Sequence, residues 1–590
     1  MNSFKKGILV GVGSIVGVWL LGAVVTFAIL GSGGGGPRVE PDSALEVHLS
    51  GAIPEYVEFN IPDLLGGQER DTATLLNQIR AIRAAADDER IKALVLRCNW
   101  SAGGWARAQE LRWAIAAFKE SGKPVWAFLE VAGREDYYVA ALADRIVLQP
   151  ETYLNLTGLR MEVMFFKGAM DKLGIEADLI RTGRYKSAGE PFSREEMSPE
   201  WRQVLNETLD EFLDQLLEGI AEGRGSDAAH WRTVLDQGPF TAAQARETGL
   251  SDDILYEDEF YEQLTEAVGL DEEIDRIGIS GYVRSSGPGR LRGGKTFALL
   301  HAAGPISSGS EDPTPFGTSS GTLASRSFIS RLDGLREDDS VDGVILRIDS
   351  PGGDAIASEQ ILRAVRRLAA EKPMVVSMAN VAASGGYYIA AVPDVPILAY
   401  PGTYTGSIGV FTIHLNLRSL YDKLGINKEI LVRGENAAIE SDYRPLSPSE
   451  RAKLSGYVDS IYDTFLERVS EGRGMPAEQV AELAEGRVWI GSQASENGLV
   501  DGLGGYLDAI DRLREAAGLE EGEAARIVVH PERRSILETI LSGRHMAFGP
   551  SQAMPLKIPG MQVSLAEAAW WAQHLRNGPV AMAPHRISVQ

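Results

Sequence analysis

Apolar residues follow two spacings along most of this chain, and their order is repeated. Short runs of strand length occur at Ala44–Leu49, Ala93–Cys98, Val125–Leu129 and Ile146–Leu148, with helical spacing over Ala108–Lys119. A matching series follows: strands at Phe297–His301, Gly343–Ile348, Met374–Met378 and Ile397–Tyr400, a helix over Ser358–Ala370, and a short helix from Gly385 to Ala391. Strands alternating with helices predict parallel βαβ units, with a ligand site at the strand C-termini. Each series closes with an amphipathic helical region, Glu200–Glu222 or Pro448–Glu471. A similar tail follows each, Phe240–Leu250 and Trp489–Leu499.

The two series are copies. Lys123, Tyr137 and Asp171 have counterparts in Lys372, Tyr387 and Asp422, offsets of 249, 250 and 251 residues. In that register the copies have lost different residues. The second carries Ala383-Ser384-Gly385-Gly386 where the first has Gly133-Arg134-Glu135-Asp136. The first carries Gly183-Arg184-Tyr185-Lys186-Ser187 where the second has Gly434-Glu435-Asn436-Ala437-Ala438. Complementary loss after duplication predicts one site built from both repeats.

Composition narrows the classes. The chain has 590 residues, too many for one core, and 58 basic against 82 acidic side chains give a net charge of −24. Such a charge argues against nucleic acid, whose phosphates demand a basic face. The single cysteine, Cys98, lies in an apolar run and reads as a core residue. Lys5-Lys6 precedes Gly7–Gly31, an uncharged apolar stretch. Its length suits an uncleaved transmembrane anchor more than a secretory signal. The lysines place the N-terminus in the cytoplasm and the remainder outside the inner membrane. Gly31–Gly36 reads as a tether.

Four segments carry candidate chemistry. Ser384 stands at a strand-to-helix turn ahead of two glycines, where a side chain can project and backbone N–H groups favour an anion. Gly385 and Gly353, the latter in Asp349-Ser350-Pro351-Gly352-Gly353, are candidate oxyanion donors. Lys186 can act as a base if burial lowers its pKa, and a lysine can activate serine without histidine. Ser407, in Thr405-Gly406-Ser407-Ile408-Gly409, is a candidate to hold the amine. Each segment alone also fits an ordinary turn or surface residue. In the first repeat, Glu135 and Asp136 replace the two glycines, so the turn and its donors are expected to be missing there.

Together these segments resemble the signal peptide peptidase A (protease IV) family in its long, tandem-repeat form. The resemblance implies Ser384 as nucleophile and Lys186 as general base. It implies an α/β fold of two tandem Clp protease/crotonase-like domains, each a spiral of ββα units, after an N-terminal transmembrane helix. It also implies hydrophobic signal-peptide substrates, a homotetramer, and no metal or organic cofactor. The expected layout is a cytoplasmic end (1–6), an anchor in membrane lipid (7–31), a linker (32–42), a first repeat supplying lysine (43–284), a linker (285–294), a second repeat supplying serine (295–522) and a tail (523–590). The function expected is a membrane-anchored serine endopeptidase that degrades cleaved signal peptides and other hydrophobic peptides. The alternatives are a non-catalytic peptide-binding scaffold of the same fold and, less compatible with an exported chain, a hydratase-like enzyme.

Overall fold

The computed structural model describes residues 38–56, 74–101, 103–286, 294–310, 321–520, 523, 525–530 and 580–582. The expected anchor at Gly7–Gly31 and its tether lie outside these residues. Among the described residues no helix is long and apolar enough to cross a membrane.

The first repeat contains β1 (Ser43–Gly51), β2 (Ile91–Ser101), α1 (Trp105–Lys119), β3 (Val125–Val131), α2 (Arg134–Ala140), β4 (Arg145–Leu148), β5 (Glu176–Thr182) and α3 (Pro199–Arg224). Strands β4, β3, β2 and β1 lie side by side, flanked by Asp253–Ile254 and Asp275–Gly278, in a six-stranded sheet that is parallel throughout. Burial on both faces explains the near-continuous apolar runs of β2 and β3. Cys98 is buried in this core, as its neighbours predict.

The second repeat contains β6 (Lys295–Ala303), β7 (Gly343–Ser350), β8 (Gly352–Asp354), α4 (Ala355–Ala369), β9 (Met374–Ala383), α5 (Gly385–Ala390), β10 (Ile397–Ala399), β11 (Tyr404–Gly406), β12 (Val410–Asn416) and α6 (Pro448–Arg473), and the tail after it adds β13 (Ala525–His530) and β14 (Val580–Met582). Its main sheet runs β11, β9, β7, β6, β13, with Val488–Ile490 outside β11 and β10 beside the first half of β9. Helix α4 begins three residues before the expected Ser358, because the Asp354 carboxylate accepts from Ala357 N–H at 2.8 Å and caps it. Ser447 and Glu450 form a capping box at α6, and Ser198 caps α3.

A third sheet joins the repeats. Strand β5 of the first pairs antiparallel with β12 of the second over seven residue pairs, Thr182↔Val410 to Glu176↔Asn416. This pairing carries Gly183–Ser187, which follows β5, into the second repeat. The same sheet contains β8, paired antiparallel with β14 from the C-terminal tail. Leu299, Ile345, Val375, Tyr506 and Leu513 of the second repeat share one core with Leu94, Leu96 and Ile115 of the first. Helix Ile279–Ser286 takes up the first two residues of the expected 285–294 linker. Residues 287–293, and 311–320 of the expected Ser307–Thr322 loop, fall outside the described part.

Candidate active site

Lys186 and Ser384, 198 positions apart in sequence, meet in space. Lys186 Nζ lies 2.8 Å from Ser384 Oγ. The amine also lies 2.9 Å from Ser407 O and 3.0 Å from Ser407 Oγ. Lys186, Ser384 and Ser407 are all fully buried. Burial drives the Lys186 pKa well below the ordinary lysine value, which favours the neutral amine. The lysine segment is held from both repeats. Arg181 donates to Lys186 O at 2.8 Å and to the Glu190 carboxylate at 2.7 Å, while Tyr185 N–H donates to Glu485 O at 2.8 Å.

Ser384 forms the N-cap of α5 with φ +55° and ψ −118°. That backbone region is unfavourable for a residue with a Cβ, by about 1–3 kcal/mol, and persists only where surrounding contacts fix it. Ser384 N–H donates to Gly406 O at 2.8 Å, which ties the turn to β11. Gly385 is the first residue of α5. The Ser350–Gly353 turn packs against this helix start: a Cβ on Gly386 would stand 2.4 Å from Ser350 O. Gly353 belongs to β8, where a Cβ would meet Ile306 O at 2.1 Å, so only glycine fits. Its antiparallel partner is Ala581 of β14. The five residues singled out from sequence thus meet at one corner, to which the second repeat contributes Ser384, Gly353, Gly385 and Ser407 and the first contributes Lys186.

The matching corner of the first repeat lacks the strained turn and is closed by its own acidic side chains. The glycine-bearing strand end survives there, and its donor is occupied. Gly104, equivalent to Gly353, donates its N–H to Glu135 Oε2 at 3.0 Å. Asp136 accepts from Ser101 N–H and Gly133 N–H, each at 2.9 Å. Burial raises the pKa of Glu135, and that of Asp136 to about 6. Arg134, in the serine slot, begins α2 and donates to Gly158 O at 3.1 Å.

Several site-building residues carried no signal in the sequence. Arg107 Nη2 donates to Asp349 Oδ2 at 2.8 Å, and Asn380 Nδ2 donates to Gly103 O at 3.1 Å. Arg347, fully buried, pairs with the nearly buried Glu55 at 3.0 Å. Each contact joins residues more than 240 positions apart, beyond any local pattern.

The description "Peptidase family S49" matches two segments, residues 117–271 and 366–520, one in each repeat. The chain is 34% identical over 465 residues to "Serine protease SPPA, chloroplastic" of Arabidopsis thaliana, covering 78% of this chain and 68% of the relative. It is 31% identical over 532 residues to "Protease 4" of Haemophilus influenzae, covering 86% and 84%. Among solved structures, a mutant of ClpP1 from Listeria monocytogenes aligns over 36% of this chain and 94% of its own, at 15% identity and TM-score 0.24. With one family segment in each repeat, and relatives matched over most of their length, the chain belongs to peptidase family S49 and is a serine endopeptidase.

Proposed function

We propose that this chain is a membrane-anchored endopeptidase that uses a Ser384–Lys186 dyad to degrade cleaved signal peptides and other hydrophobic peptides. One observation carries the reading: a fully buried lysine amine stands 2.8 Å from a buried serine hydroxyl at a strained strand-to-helix turn. Neutral Lys186 takes the Ser384 proton as Oγ attacks the peptide carbonyl. The oxyanion is held by the N–H groups of Gly353 and Gly385; losing one such donor typically costs about 10²–10³ in rate. The lysine then passes its proton to the leaving amine. Water, deprotonated by the same amine, attacks the acyl-enzyme, and the proton returns to Ser384. Ser407 orients the amine by accepting its remaining N–H bonds.

The Gly7–Gly31 stretch would tether the catalytic repeats to the outer face of the inner membrane, at high local concentration of peptides left in the bilayer. A homotetramer remains part of this proposal by family resemblance alone. Labelling with a peptidyl phosphonate, followed by mapping of the modified residue, tests the dyad beside turnover of an apolar peptide by Ser384→Ala. Modification at Ser384, with turnover lost in a folded variant, is expected. Turnover retained by folded Ser384→Ala would overturn the reading.

A further inference from the structure

The silent corner of the first repeat touches both halves of the active corner of the second. Asp349 stands four residues before Gly353, and Asn380 four residues before Ser384. Arg107, in the first turn of α1, donates to Asp349 Oδ2 at 2.8 Å, to Gly103 O at 3.0 Å and to Glu55 Oε1 at 3.1 Å. The other Asp349 oxygen accepts from Val381 N–H at 3.2 Å, so this carboxylate links the end of β7 to the end of β9. Asn380 reaches back across the same boundary. Its Oδ1 accepts from Ala106 N–H at 3.2 Å and its Nδ2 donates to Gly103 O at 3.1 Å. Gly104 leaves just enough room: a Cβ there would stand 2.5 Å from Asn380 Nδ2.

We propose that Arg107 and Asn380 are positioning residues, through which the first repeat holds the Gly353 strand and the Ser384 turn in register with each other. This inference rests on the dyad reading. The left-handed Ser384 backbone has to be fixed by its surroundings. An oxyanion donor must also stand close to its productive position, since about 1 Å of displacement can cost 10²-fold in rate. Burial raises the Asp349 pKa, and the Arg107 guanidinium opposes that shift by favouring the charged carboxylate. The support runs one way. Trp100, Ile356 and Glu130 occupy the positions matching Asp349, Arg107 and Asn380 in the opposite repeats. Trp100 and Ile356 are 47% and 54% exposed, and Glu130 bonds Arg97 and Asn99 within its own repeat. The Gly103–Arg107 segment, no longer a reaction site itself, serves as a buttress for the site that is.

The test uses the full chain with Arg107→Met, Arg107→Lys, Asp349→Asn, Asn380→Ala and the pair Arg107→Met with Asp349→Asn. Measured are kcat and KM on an apolar peptide, the rate of Ser384 modification by a peptidyl phosphonate, and Tm. Arg107→Met is expected to lower kcat and the modification rate together, by about 10–100-fold, with KM within about threefold. Arg107→Lys should recover part of the loss, and the double variant should lose no more than the worse single one. If Arg107→Met does not fold, Arg107→Lys and Asn380→Ala decide on the same kcat and modification rates. Wild-type kcat in these variants, a change in KM alone, or additive losses in the double variant would each overturn the inference. Failure of the dyad reading has a different signature: the wild-type chain would then keep its turnover after Ser384→Ala.

Discussion

The corners at Gly133–Asp136 and Ala383–Gly386 occupy matched places in two copies of one fold, and their chemistry is opposite. In the second repeat the turn forces Ser384 into a left-handed backbone and brings its hydroxyl against a buried amine whose pKa burial lowers. In the first repeat Arg134 begins a helix without a positive φ, and Glu135 places its own carboxylate on the Gly104 N–H. The silent corner satisfies its donors internally; the active one stores strain. Filling an anion hole with an acidic side chain removes a reaction site and leaves a better-satisfied structural element. Stability and activity draw on the same groups in opposite ways.

The largest effect expected is at the amine. Lys186→Arg should lose activity as completely as Lys186→Ala, by about 10³-fold or more, because arginine does not release its proton near neutral pH. Turnover of an apolar peptide measures it, and substantial rescue by arginine would make Lys186 an electrostatic residue. Lys186→Met should raise Tm at neutral pH. The lysine pKa is depressed in the fold, so the unfolded chain binds more protons and the wild type is destabilised there.

A smaller effect lies in the silent corner. The Asp136 pKa is raised from 3.8 to about 6, so the folded chain binds more protons than the unfolded one between those values. Stability should therefore fall as pH rises through that window, and Asp136→Asn should flatten the slope of Tm against pH. An unchanged slope would show that Asp136 is not the titrating group. Next comes the tail: β14 lies between β8 and β12 and covers the side of β8 along which an extended peptide would pair. A chain ending before Val580 should show KM lowered a few-fold at constant kcat, since an edge position pairs with one strand at a time. Rate measurements on the truncated chain check this, and an equal KM would mean that peptides do not bind along β8. The smallest expected change is none. Arg134→Ser should leave active-site titration at one label per chain, because Glu135 still holds the Gly104 donor and the second repeat offers Ala437 in the lysine slot.

The strands, the duplication and the meeting of Ser384 with Lys186 were legible because each leaves a local trace. Runs such as Gly343–Ile348 are apolar since both faces are covered, and the offset near 250 residues aligns every motif. The fate of the silent site was not legible. Glu135 and Asp136 read as the destruction of a turn, whereas Asp136 accepts the backbone donors that close it. The Arg107–Asp349 and Arg347–Glu55 pairs were invisible for another reason. Each ion pair has one end in each repeat, and nothing within either segment marks the partner.

The seven-pair ladder between β5 and β12 has a consequence for the integrity of the chain. Together with the shared apolar core and the buried Arg347–Glu55 pair, it joins the repeats as subunits of an obligate complex are joined. Covalent continuity between Ser286 and Gly294 is then not what holds them. A chain cut by a specific protease at a recognition sequence inserted there should give two fragments on a denaturing gel and a single native species on a sizing column, with one reactive serine between them. The molecule would behave as a heterodimer that happens to be encoded in one reading frame.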